Sequence, residues 1–149
     1  MAGCLGDASA ASNRPVATRR ARTLEAMLEE SRRGLRRLTA GQAYAATRSG
    51  AAVLIDTRSD DQRAAQGYVR EARHHPLSVL EWRLDPDAGW AADERVTLDT
   101  WVVLMCREGY SSSLAAARLQ ALGFHRATDV IDGVDGWIAA GLPVSPTPT

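Results

Sequence analysis

The side chain best placed for nucleophilic chemistry is Cys106. It follows the apolar run Trp101-Val102-Val103-Leu104-Met105 and opens Cys106-Arg107-Glu108-Gly109-Tyr110-Ser111-Ser112, which leads into a helix-like stretch from Ser113 to Leu122. A cysteine in a tight turn between a buried strand and a helix N-terminus sits where backbone N–H groups converge and favour negative charge. Its thiol ionises more readily there, and the thiolate is the reactive form. Gly109 lets the backbone turn without a Cβ clash. Ser111 or Ser112 is expected to cap the helix and to point a hydroxyl into the loop. Arg107 is the natural anion-binding side chain; the alternative is an arginine facing solvent. Glu108 opposes it, because a carboxylate at the pocket mouth repels anions and raises a thiol pKa. Tyr110 either walls the pocket or packs at the loop rim.

Two neighbours of the cysteine narrow the chemistry. Phosphatase and arsenate reductase loops want a histidine before the cysteine and an arginine six residues after it, to hold a tetrahedral oxyanion bidentately. Met105 and Ser112 occupy those places. All 18 basic residues are arginine, so there is no lysine for a Schiff base or a P-loop. With 18 acidic residues the formal net charge is zero, which predicts no bulk attraction to nucleic acid or membrane. The other cysteine, Cys4, lies in a Gly/Ala/Ser-rich start. Two cysteines this far apart make neither a disulfide framework nor a zinc pattern, so no metal or other cofactor is expected and a reducing, cytoplasmic setting is. The opening residues lack the apolar core of a signal peptide, and no apolar run approaches the roughly 20 residues of a membrane span.

The cysteine must be positioned by the elements around it. The 149 residues fit one domain. Residues 1–21 read as a flexible tail. Over 22–37 an amphipathic helix is expected, capped by Thr23, with Leu24, Met27, Leu28, Leu35 and Leu38 near helical spacing. Its arginines 32, 33, 36 and 37 read as a solvated face. A shorter helix starts at Thr39 and ends near Gly50. Ala52-Val53-Leu54-Ile55 is a short continuous apolar run, as in a strand buried on both faces, and it ends in Asp56-Thr57-Arg58. A helical turn over 60–66, a short strand within 70–76 and a short helix over 78–84 follow. After the Cys106 strand and helix come a third strand, 127–131, and a final helix, 134–140. Alternating strands and helices argue for an α/β fold with a mainly parallel sheet. Sites in such sheets gather at the carboxyl ends of strands. Asp56-Thr57-Arg58 and the Cys106 loop both lie there.

The ordered set of motifs resembles the rhodanese homology family, in particular its small bacterial single-domain members. The set is Leu54-Ile55-Asp56-Thr57-Arg58, Gly67-Tyr68-Val69 before Pro76-Leu77, Cys106-x-x-Gly109-x-Ser111-Ser112, and Gly133-Val134-Asp135-Gly136-Trp137 followed by Ala140-Gly141-Leu142-Pro143-Val144. The resemblance covers most of residues 38–144, leaving 145–149 as a C-terminal tail. It implies a three-layer sandwich with about five strands and helices on both faces. It also implies a sulfurtransferase in which Cys106 takes a sulfane sulfur from a thiosulfate-like donor as a persulfide and passes it to a small-molecule or protein thiol. Backbone N–H groups from Arg107 to Ser112 would cradle that sulfur, beside Glu108, Gly109, Tyr110 and Ser111. Asp56 and Arg58 are expected to support the site, Arg58 by pairing with an acid and Asp56 by tying down a loop. The family often carries an acid four residues after this arginine, where Gln62 stands. Arg83 is placed to reach the active-site mouth. A persulfide carrier, a redox sensor and a non-catalytic binding module are the alternatives.

Overall fold

The computed structural model describes residues 22–148; the expected tail over 1–21 and Cys4 lie outside them. The elements in order are α1 (Leu24–Arg33), α2 (Ala40–Arg48), β1 (Val53–Asp56), α3 (Asp60–Gln66), β2 (Arg73–His74), a 3-10 turn (Leu77–Val79), α4 (Leu80–Leu84), β3 (Val102–Met105), α5 (Ser111–Leu122), β4 (Thr128–Asp129) and α6 (Gly133–Ala139). The four strands are parallel, in the order β2-β1-β3-β4.

The two central strands are apolar on both faces because both faces are covered. Alternation along a strand sends successive side chains to opposite sides. Ile55, Val102 and Leu104 join Leu80, Leu84, Ala115, Leu119 and Phe124 in one core. Leu54, Val103 and Met105 join Ala43, Val130, Val134 and Trp137 in the other. Helices α4 and α5 cover the first face and α2 and α6 the second, which makes the expected three layers.

Among the described residues the sheet has four strands rather than about five. Leu38 stands in the remaining place as a single parallel bridge to Val130. Its N–H donates to Asp129 O at 3.0 Å and its carbonyl accepts from Ile131 at 2.8 Å. The helix expected over 22–37 therefore stops at Arg33, with Gly34 as C-cap. Leu35 and Leu38 fit helical spacing, but they insert into the core and the sheet edge instead. A sheet edge satisfies backbone groups that a frayed helix end leaves unpaired. Helix α1 packs against α5, so it is part of the same body. At the other end Ser145 exchanges backbone hydrogen bonds with Tyr68 at 2.7 and 2.8 Å, which pins the start of the expected C-terminal tail. No helix among the described residues is long and apolar enough to cross a membrane.

Candidate active site

Cys106 lies at the carboxyl end of β3, one residue past its last pair. Three neighbours give its loop a single shape. Gly109 takes φ +87°, and a Cβ there would come within 2.7 Å of Asp132 N. Gly133, at the start of α6, lies so close to Cys106 O and the Arg107 carbonyl that any Cβ would overlap them. Helix α6 in turn grips the loop: Val134 N donates to Cys106 O at 2.9 Å and Asp135 N to Arg107 O at 3.0 Å.

The sulfur is ringed by hydrogen-bonding groups. Gly109 N–H points at Cys106 Sγ at 3.1 Å, and the thiol donates to Ser112 Oγ at 3.2 Å. Burial alone pushes the thiol pKa up. The Ser112 hydroxyl and N–H, the Ser111 hydroxyl and the Gly109 N–H outweigh it, and the thiol sits below its ordinary value. Glu108 is not among the groups that move it. The expected rise from Glu108 is thus corrected, because its carboxylate is half-exposed and screened, and its nearest charge is Arg107 Nε at 3.8 Å.

The expected helix cap is also corrected. Helix α5 begins at Ser111 with Tyr110 as N-cap and no side-chain cap bond. The hydroxyls of Ser112 and Ser113 turn inward to Asp129 Oδ2, at 2.8 and 2.7 Å.

Above the sulfur opens a cavity of about 480 Å³. The segment after β1 (Thr57, Arg58, Ser59, Gln62), Pro76 to Ser78, and the cysteine loop line it. Arg107, Glu108, Tyr110 and Ser111 all reach this cavity, whereas Gly109 and Ser112 act from beneath it. Arg83 does not line it. Arg83 is exposed, and after burial its charge is the main cause of a lowered pKa at His75.

Arg58 lines the cavity, yet its guanidinium faces inward and is fully buried. It donates to Asp56 Oδ2 and Gly67 O, each at 2.8 Å, and to Gln66 Oε1 at 3.3 Å. Asp56 Oδ1 also accepts the Arg58 backbone N–H at 3.1 Å. The missing acid four residues on is thereby replaced by Asp56 itself. His74 completes this corner, with Nε2 2.7 Å from Arg58 O.

Four site residues carry no signal in the sequence. Arg32 Nη2 and Arg37 Nη2 both donate to Gly109 O, at 2.8 and 3.1 Å. Arg32 Nε also donates to Ser113 Oγ at 3.0 Å, and Arg37 pairs with Asp129. These arginines were expected on a solvated face. Gly34 and the sheet edge turn them inward, and only the fold brings them to the loop. Among the described residues no three His, Cys, Asp or Glu side chains cluster closely enough to hold a metal ion.

A parallel α/β sandwich that presents an acidified cysteine in the five-residue turn between a strand and a helix defines a class of thiolate-loop proteins. The chain belongs to the rhodanese-like domain family, whose model matches residues 39–140. The thiosulfate sulfurtransferase of Haemophilus influenzae is 30% identical over 111 residues, covering 74% of this chain and 94% of that protein. The polysulfide-sulfur transferase of Wolinella succinogenes, solved as a homodimer, is 26% identical with a TM-score of 0.63, covering 80% of this chain and 85% of that one. A Rhodopseudomonas palustris protein of unknown function, described as a possible tyrosine phosphatase, is 28% identical with a TM-score of 0.75, covering 84% and 96%.

Proposed function

We propose that the protein is a sulfurtransferase that carries a sulfane sulfur on Cys106. The observation that carries this reading is the sulfur's setting: Sγ held by the Gly109 N–H and the Ser112 hydroxyl, on the floor of an open cavity. Donors that stabilise a thiolate also stabilise the terminal sulfur of a persulfide, which adds one atom about 2 Å beyond Sγ.

The thiolate attacks the outer sulfur of a thiosulfate-like donor. The new S–S bond forms as the donor's own S–S bond breaks, and sulfite leaves with the electron pair. An acceptor thiolate, or cyanide in an assay, attacks the terminal sulfur and Cys106 returns as thiolate. Each step is thiol–disulfide-like exchange, governed by thiolate fraction and access. Arg107 meets the donor's negative charge, and Glu108 beside it weakens that attraction, so thiosulfate is a surrogate of modest quality. Tyr110 walls the mouth. The chemistry needs Cys106 reduced, which suits a cytoplasmic setting and a thiol or protein acceptor. The relatives named as sulfur transferases support this reading.

The neighbour described as a possible phosphatase raises the other chemistry. Here Ser112 fills the place of the oxyanion-holding arginine, and its hydroxyl is committed to Asp129 and Cys106. The test is intact mass after incubation with thiosulfate, mercaptopyruvate or polysulfide. A sulfur adduct of about 32 Da, lost in Cys106→Ala and discharged by cyanide, is expected. No adduct from any donor, or Cys106-dependent phosphatase turnover, would overturn the reading.

A further inference from the structure

The hydroxyl beneath Cys106 leads to a buried charge that the sulfur chemistry above does not use. Ser112 Oγ accepts from the thiol at 3.2 Å and donates to Asp129 Oδ2 at 2.8 Å. Asp129 is fully buried at the end of β4. Its carboxylate accepts from three further donors: Ser113 Oγ at 2.7 Å, and Arg37 through Nε at 2.8 Å and Nη2 at 3.3 Å. Arg37 lies before the segment that the family model matches.

A hydroxyl has one proton and two acceptor sites. While Cys106 is a thiol, Ser112 accepts from sulfur and gives its proton to Asp129. A thiolate has nothing to donate and needs a donor. Ser112 becomes that donor by turning its O–H from Asp129 to sulfur, since both acceptors are already within reach. Asp129 tolerates the loss because Ser113 and Arg37 remain bonded to it, so a buried charge is not left bare. We propose that Asp129 is a positioning residue that acts on Cys106 through Ser112, holding the Ser112 proton while Cys106 is a thiol and yielding it to sulfur when the thiol proton leaves through the open cavity.

This inference rests on Cys106 being the reacting sulfur of the proposed function. The other charged groups around the loop are Arg58, locked to Asp56; Arg107 and Glu108, side by side at the cavity mouth; Arg32 and Arg37, bonded to Gly109 O; and, at the start of α6, Asp132, whose backbone lies against Gly109, and Asp135, whose carboxylate accepts from Gln66. Asp129 is separated from the sulfur by one hydroxyl, that of Ser112, and the side-chain hydrogen bonds of Arg37 and Arg32 reach this chain only through Asp129.

Asp129→Asn tests it. Arg37 Nε needs an acceptor at the Oδ1 place, so the amide oxygen stays there and the NH₂ faces Ser112 and Ser113. The amide then donates to Ser112 rather than accepting, and the Ser112 proton is left to sulfur. The readout is the pH dependence of Cys106 alkylation by iodoacetamide. We expect its midpoint to fall by about one unit, a tenfold gain in thiolate below the midpoint. A merely structural role would loosen the cradle and raise it. In a Ser112→Ala background the same substitution is expected to lose most of its effect. No change, a rise, or a fall undiminished without Ser112 would overturn the proposal, the last by showing a through-space charge effect.

Should Asp129→Asn not fold, Ser113→Ala serves. It removes a donor from Asp129 without touching sulfur, so Asp129 holds Ser112 more tightly and the midpoint rises. A midpoint unchanged, or raised equally without Ser112, overturns the proposal. Alkylation needs no sulfur donor. Coupling without any persulfide would sink the proposed function alone, and a persulfide without coupling would sink this inference alone.

Discussion

Replacing Gly109 by alanine is expected to disable Cys106 without emptying the cavity above it. Two costs act at one position. The φ of +87° is strained for any residue with a Cβ, at about 1–2 kcal/mol. The added Cβ would also meet Asp132 N at 2.7 Å, Asp132 Cα at 3.1 Å and Gly133 N at 3.2 Å. These are backbone atoms at the start of α6, fixed by the bonds from Val134 and Asp135 to the loop, so the loop must give instead. Moving it takes the Gly109 N–H from its place 3.1 Å from sulfur. That N–H is the smallest of the donors that lower the Cys106 pKa, after the Ser112 hydroxyl and N–H and the Ser111 hydroxyl, but the same loop positions all of them, so the Cys106 pKa is expected to rise. The assay is iodoacetamide alkylation across pH, paired with persulfide formation from thiosulfate. Both should slow about ten- to a hundredfold near neutral pH. An alanine variant with the alkylation midpoint and persulfide yield of the parent would refute the argument that this N–H and this turn make the thiolate.

Four further outcomes follow from the same geometry. Arg32→Ala removes the 2.8 Å bond to Gly109 O and the bond to Ser113, and should lower sulfur transfer about tenfold, near 1.4 kcal/mol, with far-UV circular dichroism unchanged. Glu108→Gln frees Arg107 from its neighbour and should raise kcat/KM for thiosulfate a few-fold, less so at high salt, since both groups are half-exposed. Asp56→Ala strands the buried Arg58 guanidinium, at a cost of about 3–5 kcal/mol read by chemical denaturation. The transfer rate should rise with pH through the Cys106 pKa and level off below the ordinary thiol range. Because the folded-state pKa is depressed, Cys106 stabilises the fold fully above the unfolded thiol value and loses that contribution as pH falls through the folded one.

The chain alone determined the local and periodic features. The runs Ala52–Ile55 and Trp101–Met105 are short and apolar throughout, which marked the buried strands that the fold places at Val53–Asp56 and Val102–Met105. Gly67 and Gly123 ended the helices before them, and Thr39 capped the next one, because those signals act within a few residues. Cys106 at a strand end before a helix was legible for the same reason, as was Gly109; that the acid paired with Arg58 is Asp56 itself was not. Tertiary structure decided what helical spacing could not. Leu35 and Leu38 fit a helix, but Gly34 ends α1 and the free sheet edge takes Leu38. That exit turns Arg32 and Arg37 onto a loop more than seventy residues away, where they bond the Gly109 carbonyl. Ser112 looked like a cap and became the link between sulfur and Asp129, a residue without any motif. Contacts between residues far apart in the chain leave no periodic mark in it, since they arise only when the sheet brings the ends of β3 and β4 together.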